Sequence, residues 1–147
     1  MNPSVTVLSS QEITLEELKD VLLKAGGIYD PGGGMFGLIL QEERYIWIHT
    51  GASSLREFLA DYLDVLEQDV PDILEQIQTK LGGEPRAYFE LEIRRTPGSQ
   101  RLAVEFANLC AETWPCVVVC SRPRYIFSKE EIQQLLREGK GFHLEEI

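Results

Sequence analysis

The stretch from Ala87 to Arg94 constrains this chain more than any other. Ala87, Phe89, Leu91 and Ile93 alternate with Tyr88, Glu90, Glu92 and Arg94. That period of two suits a strand, because a helix would scatter the apolar set around its axis. A half-buried strand needs neighbours, and the sequence supplies them. Ser4 to Ser9 is a short β-rich run, and Phe36 to Gln41 and Arg44 to Thr50 are two more, divided by Glu42-Glu43. Glu-Glu is a poor pair for a primed hairpin turn, which leaves the turn type open. Cys116-Val117-Val118-Val119-Cys120 reads as a strand buried on both faces.

Helical patterns separate these strands. Thr14 and Glu17 form a capping box, followed by Leu15, Leu18, Val21, Leu22 and Ala25 at helical spacing and a stop at Gly26-Gly27. The longest apolar stripe starts after Ser53 or Ser54 with Leu55, Phe58 and Leu59 and runs to Ile73, Ile77 and Leu81. Pro71 inside it predicts a kink or two abutting helices. Thr96-Pro97-Gly98-Ser99 turns into a third helix carrying Leu102, Phe106 and Cys110, which Pro115 ends. Ser128 with Glu131 caps a last helix through Ile132 and Leu135 to Gly139.

The order β-α-β-β-α-β-α-β-α predicts one α+β domain over residues 1–147, with helices packed on a mixed sheet and a short mobile tail from about residue 140. Its first six elements match a ferredoxin-like split βαβ. Leu18, Leu22, Leu59, Leu63, Leu66, Phe89, Leu91, Ile93, Val117 and Val119 are expected to form one core. A strand, loop, capping box and helix occur near both ends, the pattern an internal duplication would leave.

Charge narrows the function. The 147 residues are 44% hydrophobic and 26% charged, a globular balance, but the net charge is -10. Such a field repels phosphate backbones and anionic lipid, and no apolar run approaches the ~20 residues of a membrane span. Neither nucleic acid nor membrane is therefore an expected partner. Met1-Asn2-Pro3-Ser4 lacks the basic start and apolar stretch of a signal peptide. Cys110, Cys116 and Cys120 suit neither a disulfide framework nor zinc spacing. These features point to the cytoplasm, with no metal and no cofactor.

Few residues suggest catalysis. Gly32, Gly34 and Gly37 satisfy the letter of G-x-G-x-x-G, but a helix precedes them and a strand follows, the reverse of a dinucleotide site. A loop entering a hairpin explains them better. His49 shares a strand face with Tyr45 and Trp47, whereas His143 lies in the tail. With Asp30 and a nearby serine or cysteine, His49 would make a base–nucleophile pair only if the fold assembled them. The cysteines read as small core hydrophobes, although Arg122 and Arg124 lie close to Cys120 in sequence. No catalytic set is assigned, and an enzyme using His49 or a cysteine is the third reading.

The acidity is one-sided. Residues 1–85 hold 15 Asp+Glu against 5 Lys+Arg, while residues 86–147 hold 9 of each. Glu57, Asp61 and Asp64 share one helix face opposite the apolar stripe. That face is either a solvated surface or a dock for a basic protein. Arg94, Arg95, Arg122 and Arg124 follow two strands. If those strands run parallel, four guanidinium groups gather at one sheet edge and suit a carboxylate or phosphate, unless neighbouring glutamates take them. The leading expectation is a small acidic cytoplasmic binding protein, a bacterial immunity-type inhibitor that neutralises a basic toxin domain. The alternative is an anionic-ligand or regulatory module at the Arg94/Arg122 edge. Oligomeric state is left open.

Overall fold

The computed structural model describes residues 3–50, 57, 73–120 and 126–142. The strands are β1 (Ser4–Ser9), β2 (Ile28–Tyr29), β3 (Gly37–Gln41), β4 (Arg44–His49), β5 (Ala87–Ile93), β6 (Cys116–Cys120) and β7 (Ile126–Phe127). The described helices are α1 (Leu15–Lys24), α2 (Ile73–Leu81), α3 (Ser99–Thr113) and α4 (Lys129–Glu138), with a 3-10 turn at Pro31–Gly33. Both predicted capping boxes form. Glu17 N–H donates to Thr14 Oγ1 at 3.1 Å, and Thr14 N–H donates back to Glu17 Oε1 at 3.0 Å. The Thr14 backbone and hydroxyl hold the Glu17 carboxyl below its usual range. Ser128 and Glu131 repeat the arrangement at α4.

All seven strands join one sheet in the order β2-β3-β4-β5-β1-β6-β7, and every neighbouring pair is antiparallel. The protein is thus α+β with helices on a sheet, but the sheet is not mixed and lacks the ferredoxin-like order. The cause is β2. After α1 the chain lays down Ile28 and Tyr29 at the sheet edge, antiparallel to β3. With this extra strand interposed, β3 and β4 run opposite to the directions a split βαβ gives them, so β3 is antiparallel to β1, while β5 stays antiparallel to β1 in both arrangements. β5 then enters between β4 and β1, pairing Ile46 with Ile93 and Val5 with Leu91.

The sheet separates two apolar clusters, where one core was expected. On one face Leu18, Leu22, Phe89, Leu91 and Ile93 pack with Leu102 and Phe106 of α3 and Ile132 of α4. On the other face Val117 and Val119 join Leu8 and Ile126 beneath Ile73, Ile77 and Leu81 of α2. Strand alternation forces the split, because Val118 points to the first face while Val117 and Val119 point to the second. Each fully buried aliphatic side chain contributes about 1.5–3 kcal/mol, so both layers matter to stability. Leu59, Leu63, Leu66 and Pro71 lie outside the described residues.

Polar clamps fasten the layers. Lys80 of α2 donates to the Ile126 carbonyl at 2.8 Å and to Glu131 Oε1 at 2.7 Å. Burial pushes the Glu131 carboxyl up, but the bonds from Lys80 and Ser128 prevail and leave it below its usual range. Arg44 grips both carboxylate oxygens of Glu105 at 2.8 and 2.9 Å, tying the β3–β4 hairpin to α3. At the hairpin tip Glu42 has φ of 60°, whereas Glu43 keeps a negative φ. That is the type II′ pattern, here with glutamate where glycine is favoured. Phe142 is buried with its ring 5.3 Å from that of Phe127, so the packed chain extends past the expected start of the tail. Among the described residues no helix is long and apolar enough to cross a membrane.

Candidate functional site

Among the described residues, α2 covers only part of its sheet face. Beyond it, alternation along β4 places Tyr45, Trp47 and His49 side by side, and β5 contributes Glu90 and Glu92, with Arg94 just past its end. The register sets Trp47 opposite Glu92 and His49 opposite Glu90. Tyr45 and Trp47 meet edge to face at 5.9 Å, and Trp47 and His49 do so at 6.2 Å. The Arg94 guanidinium lies 4.5 Å from the Trp47 ring centre and 5.5 Å from that of Tyr45. A guanidinium over aromatic faces is a cation–π contact.

Charge on this face is organised around Glu92. His49 Nε2 is 3.2 Å from Glu92 Oε1, and Arg94 Nη1 is 3.6 Å from Glu92 Oε2. The Trp47 indole N–H is buried without an acceptor. Burial pushes the Glu90 carboxyl up, and the facing His49 only partly opposes this. In the window between an ordinary glutamate pKa and the raised one, the folded state binds more protons than the unfolded state. Stability therefore falls as pH rises through that window and stays lowered above it. Glu90→Gln is expected to raise the urea midpoint at neutral pH and to flatten its pH dependence between about pH 4 and 8. Denaturation of both proteins across that range checks this, and an unchanged slope would count against a strained Glu90.

A second concavity adjoins the His49 end of β4. Leu15, Tyr29, Pro31, Gly34, Met35, Phe36, His49 and Thr50 line an open cleft of about 280 Å³. Tyr29 and Phe36 meet edge to face at 5.2 Å, and Lys19 Nζ sits 4.6 Å above the Tyr29 ring. Asp30, Gly33 and Phe36 close the glycine loop through backbone bonds, Asp30 N–H to the Phe36 carbonyl at 3.0 Å and Gly33 N–H to the Asp30 carbonyl at 3.2 Å. The G-x-G-x-x-G residues thus shape a loop that leads into a hairpin.

The residues singled out by sequence divide among several places. His49 bonds Glu92, not Asp30, and no serine or cysteine bonds it among the described residues. All three cysteines are buried, and burial pushes their thiols up, that of Cys116 to about 12. They pack as apolar groups in the first cluster. β5 and β6 both run antiparallel to β1, which lies between them, so they are parallel to each other as the arginine-edge reading requires. They stand two strand spacings apart, roughly 10 Å. Arg94 is engaged by Trp47 and Glu92, and Arg95 is exposed just past the strand. Arg122 and Arg124 lie outside the described residues, as do Asp61, Asp64 and His143, while Glu57 is helical and exposed.

Tyr29 and Trp47 were not singled out as site residues by sequence. A signal for the cleft exists in α1, where Leu15 and Leu23 sit off the buried stripe of Leu18, Val21 and Leu22. Among the described residues no group of three or more His, Cys, Asp or Glu is placed to hold a metal ion. No family model, curated protein or solved structure matches the chain.

Proposed function

We propose that the chain is an immunity-type inhibitor, a small cytoplasmic protein that neutralises a basic toxin domain by binding it. One observation carries this reading. Ion pairs among the described residues include those of Glu92, Glu105, Glu131 and Glu138 in the second half of the chain. Glu12, Glu16, Asp20, Asp30, Glu42, Glu43, Glu75 and Glu84 of the first half form no ion pair among the described residues. Two of the five cations of residues 1–85, Arg44 and Lys80, are turned to Glu105 and Glu131. Among the described residues, internal pairing thus turns first-half cations toward second-half carboxylates and leaves eight first-half carboxylates without an ion pair.

Uncompensated carboxylates steer a basic partner and repel acidic competitors. Glu57, Asp61 and Asp64 remain the proposed steering face. The arginine-edge alternative has less support, because Arg94 already has partners.

Association with a basic candidate, such as the product of an adjacent gene, tests the proposal by stopped-flow at several salt concentrations. The association rate is expected to fall about tenfold or more between 20 and 500 mM salt, roughly as screening shortens the Debye length. A rate independent of salt would reject electrostatic capture.

A further inference from the structure

The five large hydrophobic side chains that stand exposed among the described residues are Leu15, Leu23, Ile28, Tyr29 and Leu40. All belong to α1, β2 and β3, the elements that form one edge of the sheet. Leu15 is 60% exposed in the first turn of α1, where the buried stripe does not need it. Beside it opens the cleft walled by Tyr29, Met35 and Phe36. Leu15 and Tyr29 line the cleft itself, whereas Ile28 and Leu40 alternate with Tyr29 and Ile39 and belong to the other sheet face. Exposed apolar side chains that share a concavity mark an interaction site more often than single exposed leucines do.

We infer that this cleft is the anchor for the basic partner, taking one large apolar side chain that its owner presents between lysines or arginines. The inference rests on the inhibitor reading and adds where and how the partner is held. At about 280 Å³ the cleft lies at the small end of organic-ligand pockets, a size suited to a single side chain. Its surroundings select the flanking charge. Glu12 and Glu16 are exposed on either side of Leu15, and Asp30 follows Tyr29. None of the three has an ion pair among the described residues. The Tyr29 ring already seats an ammonium, that of Lys19, so an aromatic face for a cation is part of the wall. A second copy of the chain would bring the same carboxylates against themselves and is disfavoured on that ground. The division of labour is physical: the acidic surface governs encounter, and the apolar pocket governs residence.

The test titrates isotope-labelled protein with three synthetic peptides of about 14 residues, four helical turns. One is an amphipathic leucine/lysine helix, one has serine in place of leucine at equal charge, and one has glutamate in place of lysine. The leucine/lysine peptide is expected to bind saturably and to shift the amides of Leu15, Tyr29, Met35 and Phe36. Tyr29→Ala and, independently, Leu15→Ser should weaken it about tenfold, mainly through faster dissociation, with circular dichroism unchanged. Glu130→Gln, on α4, should leave it unaltered. Equal binding of the lysine/serine peptide, or shifts centred elsewhere, would overturn the anchor while leaving the inhibitor reading standing. Failure of every basic peptide and of the basic protein candidate to bind would remove both. Equal binding of the leucine/glutamate peptide would show a merely greasy patch and would also overturn the inference.

Discussion

Gly37→Ala is expected to destabilise the protein by about 3 kcal/mol or more, the upper end of core overpacking. A Cβ at Gly37 would stand 2.4 Å from Leu22 Cδ2 and 2.6 Å from the carbonyl oxygen of Ile28. Neither neighbour can yield cheaply. Leu22 is fully buried, and Ile28 is held in register with Leu38. The strain therefore falls on the β2–β3 pairing and on the contact of α1 with the sheet. Urea unfolding measures the loss, and hydrogen exchange at Asp30, whose N–H donates to the Phe36 carbonyl, should show the edge opening first. Gly32→Ala is the contrast, since nothing lies within 4 Å of its added methyl. It should stay within about 0.5 kcal/mol of the parent. Equal effects at the two positions would refute this account of the glycine loop.

The largest kinetic effect should come from reversing the proposed steering face. Glu57→Lys, Asp61→Lys and Asp64→Lys together move the net charge from -10 to -4, since each reversal adds two. Association with a basic partner should slow by about 10- to 100-fold at low salt, within the range of electrostatic steering. Dissociation should change less, because rim charges act mainly on encounter. Surface charges add little to stability, so on this reading circular dichroism and the unfolding midpoint should stay near those of the parent. An association rate equal to the parent's would reject this face, and the carboxylates around Leu15 and Tyr29 would then have to supply the steering.

These expectations rest on features that differ in how plainly the sequence displays them. The capping boxes at Thr14 and Ser128 are local, since all their atoms lie within four residues, and both were legible. The alternation through Ala87–Ile93 was equally so. β2 was not. Two residues carry no period, and Ile28 and Tyr29 become a strand only because β3 returns beside them. Missing that strand reversed the inferred direction of β3 and β4, and the entry of β5 between β4 and β1 changed the strand order. The two-faced burial of Val117 and Val118 could be read from an unbroken apolar run, but not the helix that covers each face. The same limit applied to Arg94. Its own segment offered Glu90 and Glu92 as partners, while Trp47 and Tyr45 came within reach only through the β4–β5 pairing. Tyr29 needed the whole edge to be assembled before it could wall a cleft.

The position of β1 also bears on how the chain is made. Val5 pairs with Leu91 on one side and Cys120 on the other, and even the nearest partners in sequence, Ser9 and Ala87, are far apart along the chain. At ribosomal speeds of about 5–20 residues per second, β5 follows β1 by roughly 4–16 s. The β3–β4 hairpin, by contrast, has both strands within a few residues and closes in microseconds once released. Nascent chains thus carry Val5, Val7 and Leu8 uncovered while the opposite edge of the sheet is already forming. The middle of the finished sheet is among the last parts to close, which makes the newborn N-terminal strand the segment most exposed to chaperones and to mispairing with its neighbours on a polysome.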